Sequence, residues 1–247
     1  MRALLPEARP AREIGADDLA GLYGRVAGIR LNMIASADGA ATAGGLSGAL
    51  GGAADKKVFA ALRSVADAVV VGAGTWRAEG YGPARLPPAV RARRREAGQT
   101  EVPPIAVVTS SAELDWSRPF FTEAEVRPLL ITVAAAPTDN VARAREVADV
   151  IVAGDTQVDL VKAAGALGVR GFTNILAEGG PQLGAQLAAS GILEELCLTV
   201  SPKLVAGDGP RILRGPALPE AAELELVHLL EEDGFLFLRY RKAARRG

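Results

Sequence analysis

AVVVGAGTW, residues 68–76, is the stretch of sequence that decides the fold class. Its first four residues form a short apolar run, which is typical of a strand buried on both faces of a parallel sheet. The glycines that follow permit a tight turn, and backbone amides at the start of the next element can then face a phosphate. A glycine pair of this kind more often makes only a turn, so the function has to be inferred from the rest of the chain.

Strands of the same kind alternate with helical stretches along most of the sequence. The apolar runs predict strands at Gly28–Ile34, Ala68–Val71, Ile105–Val108, Leu129–Val133, Val150–Val152, Asn174–Ala177 and Leu196–Val200. The helical stretches are Ala54–Val65, Asp139–Glu146, Val158–Leu167 and Pro181–Ser190. This alternation predicts an α/β fold with a mostly parallel central sheet flanked by helices.

The last part of the chain follows a different pattern. Leu224–Leu230 and Phe235–Tyr240 have the composition of strands, and the Asp233-Gly234 pair between them is a strong hairpin signal. We therefore expect a C-terminal antiparallel hairpin at the edge of the sheet.

Two segments, Glu79–Pro104 and Ser110–Phe121, are expected to be loops because prolines and polar runs interrupt them. The sequence contains no internal repeat and no linker of low complexity. It therefore predicts a single domain over residues 1–247, in which residues 1–26 form an N-terminal extension.

The composition argues against several classes of function. The chain carries 28 basic and 29 acidic side chains, so no net field attracts nucleic acid or an anionic membrane. Its one cysteine and one histidine, Cys197 and His228, are too few for a disulfide framework or a Cys/His metal site, and we expect both to be structural. Charged residues interrupt Met1–Arg12, and no later stretch is apolar enough to cross a bilayer, which predicts a cytoplasmic protein.

A second glycine turn, Glu178-Gly179-Gly180-Pro181, follows a predicted strand and opens a predicted helix. Two glycines let a backbone approach a ligand, proline suits the first helical position, and a helix N-terminus favours a pyrophosphate. A purely structural turn fits the same pattern equally well. A carboxylate does not bind phosphate, so Glu178 is expected to accept a hydrogen bond from a sugar or substrate hydroxyl.

A third turn, Ser36-Ala37-Asp38-Gly39, follows the first predicted strand. An isolated Asp-Gly pair is usually only a turn. The glycine-rich segment 44–52 comes next, and such a segment is able to fold over a flat ring or a cofactor.

Taken in order, these pieces resemble the reductase domain that forms the C-terminal half of bifunctional RibD-type proteins of riboflavin biosynthesis. The series runs from NMIASADG at residues 32–39 through GLSG at residues 45–48, the Leu62-Arg63 pair and AVVVGAGT at residues 68–75 to EGGP at residues 178–181. The resemblance implies a dihydrofolate-reductase-like fold in a stand-alone 5-amino-6-(5-phosphoribosylamino)uracil reductase-like enzyme. It also implies that NADPH delivers hydride to the C1′ carbon of the ribosylaminopyrimidine phosphate, and that the protein is a homodimer.

The resemblance also assigns roles to individual positions. The positions implied to contact the cofactor are Ala35, Gly74, Thr75, Glu79, Thr109, Gly179, Gly180, Pro181, Gln182 and Leu183. The positions implied to contact the substrate are Asn32, Ser47, Asp55, Arg63 and Glu178. No single catalytic acid is implied, and the candidates are Asp38, Asp55 and Glu178.

Three departures from the family pattern bear on the substrate. Asn32 stands where many bacterial members have lysine, and the segment EGYGP at residues 79–83 replaces their usual Asp-Asp-Pro run. The sequence also lacks His-x-Glu followed by Pro-Cys-x-x-Cys, so any deamination is expected to happen elsewhere.

Two alternative functions stay open. The same glycine turns are similar to those of dihydrofolate reductase. Asp55 and Phe59 of this sequence are four residues apart on one helical face, and they would place a carboxylate and a ring beside a pterin as that enzyme does. A protein that binds NADPH and senses it without catalysis is the other alternative.

We expect the arginines at 91 and 93–95 to be solvated. The alternative for this region is a contact between Arg85, or a neighbouring arginine, and a phosphate of the substrate.

Overall fold

A computed structural model describes residues 1–5 and 14–243. The chain divides into two compact units. Unit 1 consists of Met1–Val65 and Ala177–Gly247, and unit 2 consists of Ala66–Leu176. A single domain over residues 1–247 stays a prediction.

Unit 1 is built on a sheet in which the strands lie in the order β1-β9-β10-β8-β2. Strands β2 and β8 pair in parallel, while β8, β10, β9 and β1 pair antiparallel along the rest of the sheet. Its strands are β1 (Arg2–Leu5), β2 (Gly28–Ser36), β8 (Leu193–Ser201), β9 (Leu224–Glu232) and β10 (Phe235–Lys242), and its helices are α1 (Ala16–Tyr23), α2 (Ala53–Val65) and α8 (Pro181–Ala189).

Unit 2 contains the four parallel strands β3-β4-β5-β6, with β7 beside β3. Its strands are β3 (Ala68–Gly72), β4 (Ile105–Val108), β5 (Leu129–Thr132), β6 (Asp149–Val152) and β7 (Asn174–Ala177). Its helices are α3 (Ala73–Ala78), α4 (Pro88–Glu96), α5 (Pro119–Thr122), α6 (Thr138–Val147) and α7 (Leu160–Val169). The strands at the centre of this unit are buried on both faces, which is why β3 to β5 are continuous apolar runs.

The predicted architecture is confirmed. Every predicted strand and helix is present within a few residues of its expected bounds, and parallel pairing prevails outside the antiparallel C-terminal hairpin. Gly234 has a positive φ of 79°, as the predicted turn between β9 and β10 requires.

The loop prediction for Glu79–Pro104 was wrong, because helix α4 lies within that segment. Pro88 occupies the first turn of α4, where its missing N–H has no cost. The expectation that all four arginines of this helix are solvated was also wrong. Arg94 is 1% exposed and donates to the backbone carbonyls of Ala66 and Thr100 at 2.7 and 2.8 Å. The predicted loop Ser110–Phe121 likewise ends inside the short helix α5.

A buried ion cluster holds α1 against the sheet of unit 1. The carboxylate of Glu195 accepts hydrogen bonds from Arg30 at 2.8 Å and from Arg239 at 2.7 Å. The same two guanidinium groups donate to the carbonyls of Tyr23 and Leu22 at the end of α1. Burial would raise the pKa of Glu195, but the two arginines outweigh it and hold that pKa below its ordinary value. Each buried charge therefore has its partner, as burial requires.

Cys197 and His228 are both buried, and a purely structural role for them stays a prediction. Cys197 is buried in β8, where burial raises the pKa of its thiol to about 12. His228 is buried in β9 with its ring edge-on to Tyr23, and burial lowers its pKa to about 4. In residues 1–5 and 14–243, no helix has the length and apolar composition needed to cross a membrane.

Candidate functional site

Strand β2 presents two different faces within unit 1. Its even-numbered residues lie on the face that carries α2, because Ile34 is paired with Thr199 and the Thr199 hydroxyl reaches a side chain of that helix. Its odd-numbered residues lie on the opposite face, where Met33 and Leu31 contact the segment around α8. One strand therefore separates the predicted substrate residues from part of the predicted cofactor residues.

A bidentate ion pair joins α2 to the turn before α8. Arg63 Nε and Nη2 each lie 2.6 Å from a different carboxylate oxygen of Glu178. The side chain of Glu178 is fully buried, whereas that of Arg63 is 18% exposed. The guanidinium also lies 4.4 Å from the ring centroid of Phe59, one turn earlier on α2. Charge-assisted bidentate pairs fix both partners in orientation as well as in position.

Both Arg63 and Glu178 are predicted from the sequence to contact the substrate, and their bond to each other is not predictable from it. The two residues are 115 positions apart, and no local pattern links them. Contacts from either side chain to a substrate stay a prediction.

Asp55 lies in the first turn of α2 and faces β8. Thr199 Oγ1 donates a hydrogen bond of 2.8 Å to Asp55 Oδ1. Burial raises the pKa of Asp55, and the hydrogen bond from Thr199 offsets part of that rise. Asp55 is thus a partly desolvated carboxyl group, rather than a solvated residue that only complements the helix dipole.

Asn32 lies on the same face of the sheet as Thr199, since β2 and β8 pair in parallel register there. Its Oδ1 atom is buried and accepts no hydrogen bond from the described residues. A buried acceptor without a donor is costly, and a ligand with a donor group would satisfy it.

Ser47 belongs to the glycine-rich segment that leads into α2. Hydrogen bonds to its neighbours anchor this segment: Lys203 Nζ donates to Ala49 O at 2.7 Å, and Ser201 Oγ donates to Leu50 O at 2.8 Å. The segment is therefore held close to the end of β8. Ser47 is partly exposed, and the glycines on either side of it are exposed.

Asp38 has protein partners for its carboxylate. Its oxygens accept hydrogen bonds from the Ser36 hydroxyl and from the backbone amides of Val205 and Ala206. The hydrogen bond from Ser36, followed by that from Ala206, lowers the pKa of Asp38. Gly39 follows with a φ of 93°, so the predicted Asp-Gly turn is confirmed.

The turn at Gly179 and Gly180 approaches β2 closely. Gly179 has a φ of 95°, and a Cβ atom there would lie 3.3 Å from Met33 Sδ. The peptide bond between the two glycines is cis. Gly180 caps α8 without any side-chain hydrogen bond to the first turn of the helix. This leaves a helix N-terminus with a bare backbone, followed by Pro181, Gln182 and the buried Leu183.

Ala35, the remaining predicted cofactor residue of unit 1, is buried on the face of β2 that carries Met33. Its side chain is a single methyl group, so it occupies little space on this face of the strand next to the glycine turn.

Unit 2 contains the other predicted cofactor positions. Helix α3 begins at Ala73 directly after β3, so Gly74 and Thr75 lie in its first turn, with Gly74 exposed and Thr75 partly exposed. The backbone amide of Glu79 ends this helix by donating to Thr75 O at 2.9 Å. Thr109 follows β4, is 8% exposed, and has its hydroxyl 3.4 Å from that of Ser111.

Trp76 is the residue that ties α3 to unit 2. It is fully buried, its ring packs edge-on against Phe120, and the Arg118 guanidinium lies 4.5 Å from its ring centroid. The turn at residues 72–76 is therefore fixed by the packing of Trp76, while Gly74 is exposed.

Comparison with known proteins identifies the family that the sequence resembles. The model of the RibD C-terminal domain matches residues 27–234. A 2,5-diamino-6-ribosylamino-4(3H)-pyrimidinone 5′-phosphate reductase of Methanothermobacter thermautotrophicus is 31% identical over 212 residues, which are 82% of this chain and 93% of that protein. A protein of the same name from Archaeoglobus fulgidus is 24% identical over 189 residues, which are 76% of this chain and 86% of that protein.

Among solved structures, a pyrimidine reductase-like protein of Corynebacterium diphtheriae superposes with a TM-score of 0.80 at 31% identity. The match covers 88% of this chain and 92% of that one.

Replacing Arg63 with methionine is expected to destabilise the protein by about 3 kcal/mol, because the buried Glu178 carboxylate loses its bidentate partner. In a double-mutant cycle with Glu178→Gln, the pair should show a coupling energy of about 1 to 3 kcal/mol. Urea unfolding measures both quantities. Arg127→Met is the matched control, since it removes the exposed pair with Asp149 together with hydrogen bonds to the Arg145 and Ala148 carbonyls, and it should cost less than about 1 kcal/mol. Equal losses for Arg63→Met and Arg127→Met would contradict the structural role given to the Arg63 pair.

Proposed function

The chain belongs to the RibD C-terminal domain family, and on that premise we propose that it is an oxidoreductase that reduces a ribosylaminopyrimidine phosphate in riboflavin biosynthesis. The observation that carries the proposal is the 31% identity, over 82% of the chain, to a named pyrimidine 5′-phosphate reductase. The site geometry supports it, since Asn32, Asp55, Arg63 and Glu178 all lie in unit 1, and Asn32 and Asp55 provide acceptor oxygens on the face of β2 that carries α2.

The reaction replaces a bond at the C1′ carbon of the ribose. Hydride adds to C1′, the C1′–O4′ bond breaks, and the ring oxygen takes up a proton, which leaves a ribityl chain on the pyrimidine nitrogen. Such a reaction needs the two reactants held at short distance more than it needs a reactive side chain. Hydrogen-bond donors lower the pKa of Asp38, so Asp38 is poorly suited to supply the proton. Both carboxylate oxygens of Glu178 are engaged by Arg63.

We propose NADPH as the cofactor, which supplies the hydride when bound. The residues of unit 1 fit such a group, because the first turn of α8 has no side-chain cap and because the two glycines before it present backbone without side chains. A pyrophosphate is attracted to a bare helix N-terminus of this kind. Gly180, Pro181, Gln182 and Leu183 would contact it through their backbone, and Ala35 would leave room beside them.

In unit 2, Gly74, Thr75, Glu79 and Thr109 would contact the nucleotide. Ser110 and Ser111 are exposed directly after Thr109, and Arg77 donates to Glu113 O at 3.3 Å close by. Hydroxyls and a guanidinium suit a 2′-phosphate, which favours NADPH over NADH.

The two alternative functions are weaker. The relatives are named as pyrimidine reductases, and this favours a ribosylaminopyrimidine phosphate over dihydrofolate as the substrate. A sensor without catalysis would bind NADPH and oxidise it with neither compound. We also propose a cytoplasmic location, as expected for an enzyme that draws on NADPH.

The purified protein should oxidise NADPH in the presence of 2,5-diamino-6-ribosylamino-4(3H)-pyrimidinone 5′-phosphate, and faster than it oxidises NADH. Dihydrofolate, tested side by side, should give a rate at least ~100-fold lower, because a site built for one set of polar groups rejects a substrate that leaves them unpaired. Absorbance of the reduced nicotinamide measures all three rates. Oxidation with dihydrofolate alone would replace the proposal with a pterin reductase, and NADPH binding without any oxidation would replace it with a sensor.

We further propose that the protein is a homodimer. The face of the unit 1 sheet opposite α2 carries a group of partly exposed apolar side chains on neighbouring strands, among them Leu198 and Val200 on β8 and Leu236 and Leu238 on β10. Pairing places Leu238 opposite Leu198 and Leu236 opposite Val200, so the group is continuous. An apolar face of this kind is typical of an interface.

Light scattering should therefore give the mass of a dimer at micromolar concentration, and Leu238→Glu should shift it to a monomer because the new charge would be buried at the interface. Val169→Glu is the matched control, since Val169 is 90% exposed in unit 2 and lies outside this face. A monomeric wild-type protein, or a Leu238→Glu protein that remains dimeric, would contradict the proposal.

A further inference from the structure

We infer that Asp55, positioned by Thr199, selects the base of the substrate, so that the enzyme prefers a 2-amino-4-oxopyrimidine to the corresponding uracil. The inference rests on the proposed function and concerns the same site. It goes beyond that function because it names the group that distinguishes two substrates which differ only at C2 of the ring.

The first observation is the state of the Asp55 carboxylate. Thr199 Oγ1 donates a hydrogen bond of 2.8 Å to Asp55 Oδ1, and this bond orients the carboxylate. Oδ2 lies on the side of Gly51. A Cβ at Gly51 would lie 3.0 Å from Oδ2, so glycine at this position leaves space directly beside that oxygen. The two carboxylate oxygens therefore have different surroundings: Thr199 orients Oδ1, and Oδ2 has a glycine beside it instead of a side chain.

The second observation is that the neighbouring groups are also acceptors. Asn32 Oδ1, on the same face of the sheet as Thr199, is buried without a donor. Arg63, the cation on the same side of α2, is bound to Glu178 in a bidentate pair and stacks on Phe59. The groups on this face therefore call for a ligand that brings hydrogen-bond donors.

The third step is the chemistry of the two bases. A 2,5-diamino-4(3H)-pyrimidinone, the base named for both archaeal relatives, carries an N–H at position 3 and an amino group at position 2. These adjacent donors match the two oxygens of one carboxylate. In the uracil, the N–H at position 3 is flanked by carbonyl groups, so one carboxylate oxygen would face a carbonyl oxygen instead of a donor. The unpaired, desolvated oxygens would then oppose binding.

An amide in place of the carboxylate would remove this preference. Asparagine at position 55 has the same shape as aspartate but offers one acceptor and one donor. That pattern fits an N–H beside a carbonyl, which is the edge that uracil presents.

The test compares kcat/KM for 2,5-diamino-6-ribosylamino-4(3H)-pyrimidinone 5′-phosphate and 5-amino-6-(5-phosphoribosylamino)uracil, each with NADPH. The wild-type enzyme should prefer the diamino compound by about 100-fold or more, and Asp55→Asn should reduce this ratio by a similar factor. Thr199→Val, which releases the carboxylate but keeps its charge, should lower the ratio by a smaller factor. Lys56→Gln, at the adjacent exposed position of α2, is the control and should leave the ratio unchanged.

Equal use of the two compounds by the wild-type enzyme would overturn the inference. A loss of the same factor for both compounds in Asp55→Asn would overturn it as well, because it would show a role in chemistry or folding instead of selection. If the wild-type enzyme reduces neither compound, the proposed function fails. The affinities of both compounds for wild type and Asp55→Asn, measured by calorimetry, then decide the inference on their own: a ratio that Asp55→Asn shifts supports it, and an unchanged ratio overturns it.

Discussion

The candidate site depends on one constraint: the fully buried carboxylate of Glu178 has to be paired, and Arg63 pairs with it through two hydrogen bonds. The pair fixes the second half of α2 to the residue that begins the glycine turn. Two consequences follow from this single contact. The face of α2 that carries Asp55 and Phe59 is held in place, and the backbone of Gly179 is set at a defined position next to β2.

Strand β2 turns this fixed arrangement into two separate binding surfaces. Side chains alternate along a strand, so Asn32 lies on the face with α2 while Met33 lies on the face with the glycine turn. A base recognised by carboxylate and amide oxygens suits the first surface, and a dinucleotide recognised by bare backbone suits the second. Because both surfaces belong to the same rigid strand, small shifts in it would affect both ligands, which is a useful property in an enzyme that has to hold two reactants together.

Much of this arrangement is visible in the sequence, because it is encoded locally. The apolar runs, the glycine turns and the hairpin at Asp233-Gly234 each depend on neighbouring residues, and each is confirmed. Helix α4 was missed although Pro88 marks its start, since the prolines and arginines around it are equally typical of a loop.

The contacts that define the site could not be predicted in the same way. Arg63 and Glu178 are 115 residues apart, and Asp55 and Thr199 are 144 apart, so each pair depends on how the strands are arranged. The burial of Arg94 has the same origin, because its partner Ala66 is 28 residues away, just before β3. Candidate residues were therefore predictable from the motifs, whereas their bonds to each other required the structure.

The central claim is that this chain transfers hydride to the C1′ carbon of a ribosylaminopyrimidine phosphate. The most direct test uses NADPH that carries deuterium at its transferable C4 position, followed by mass spectrometry and NMR of the product. We expect a ribityl product with a single deuterium attached to C1′. A ribityl product without deuterium, a label at any other carbon, or consumption of the cofactor without a ribityl product would contradict it.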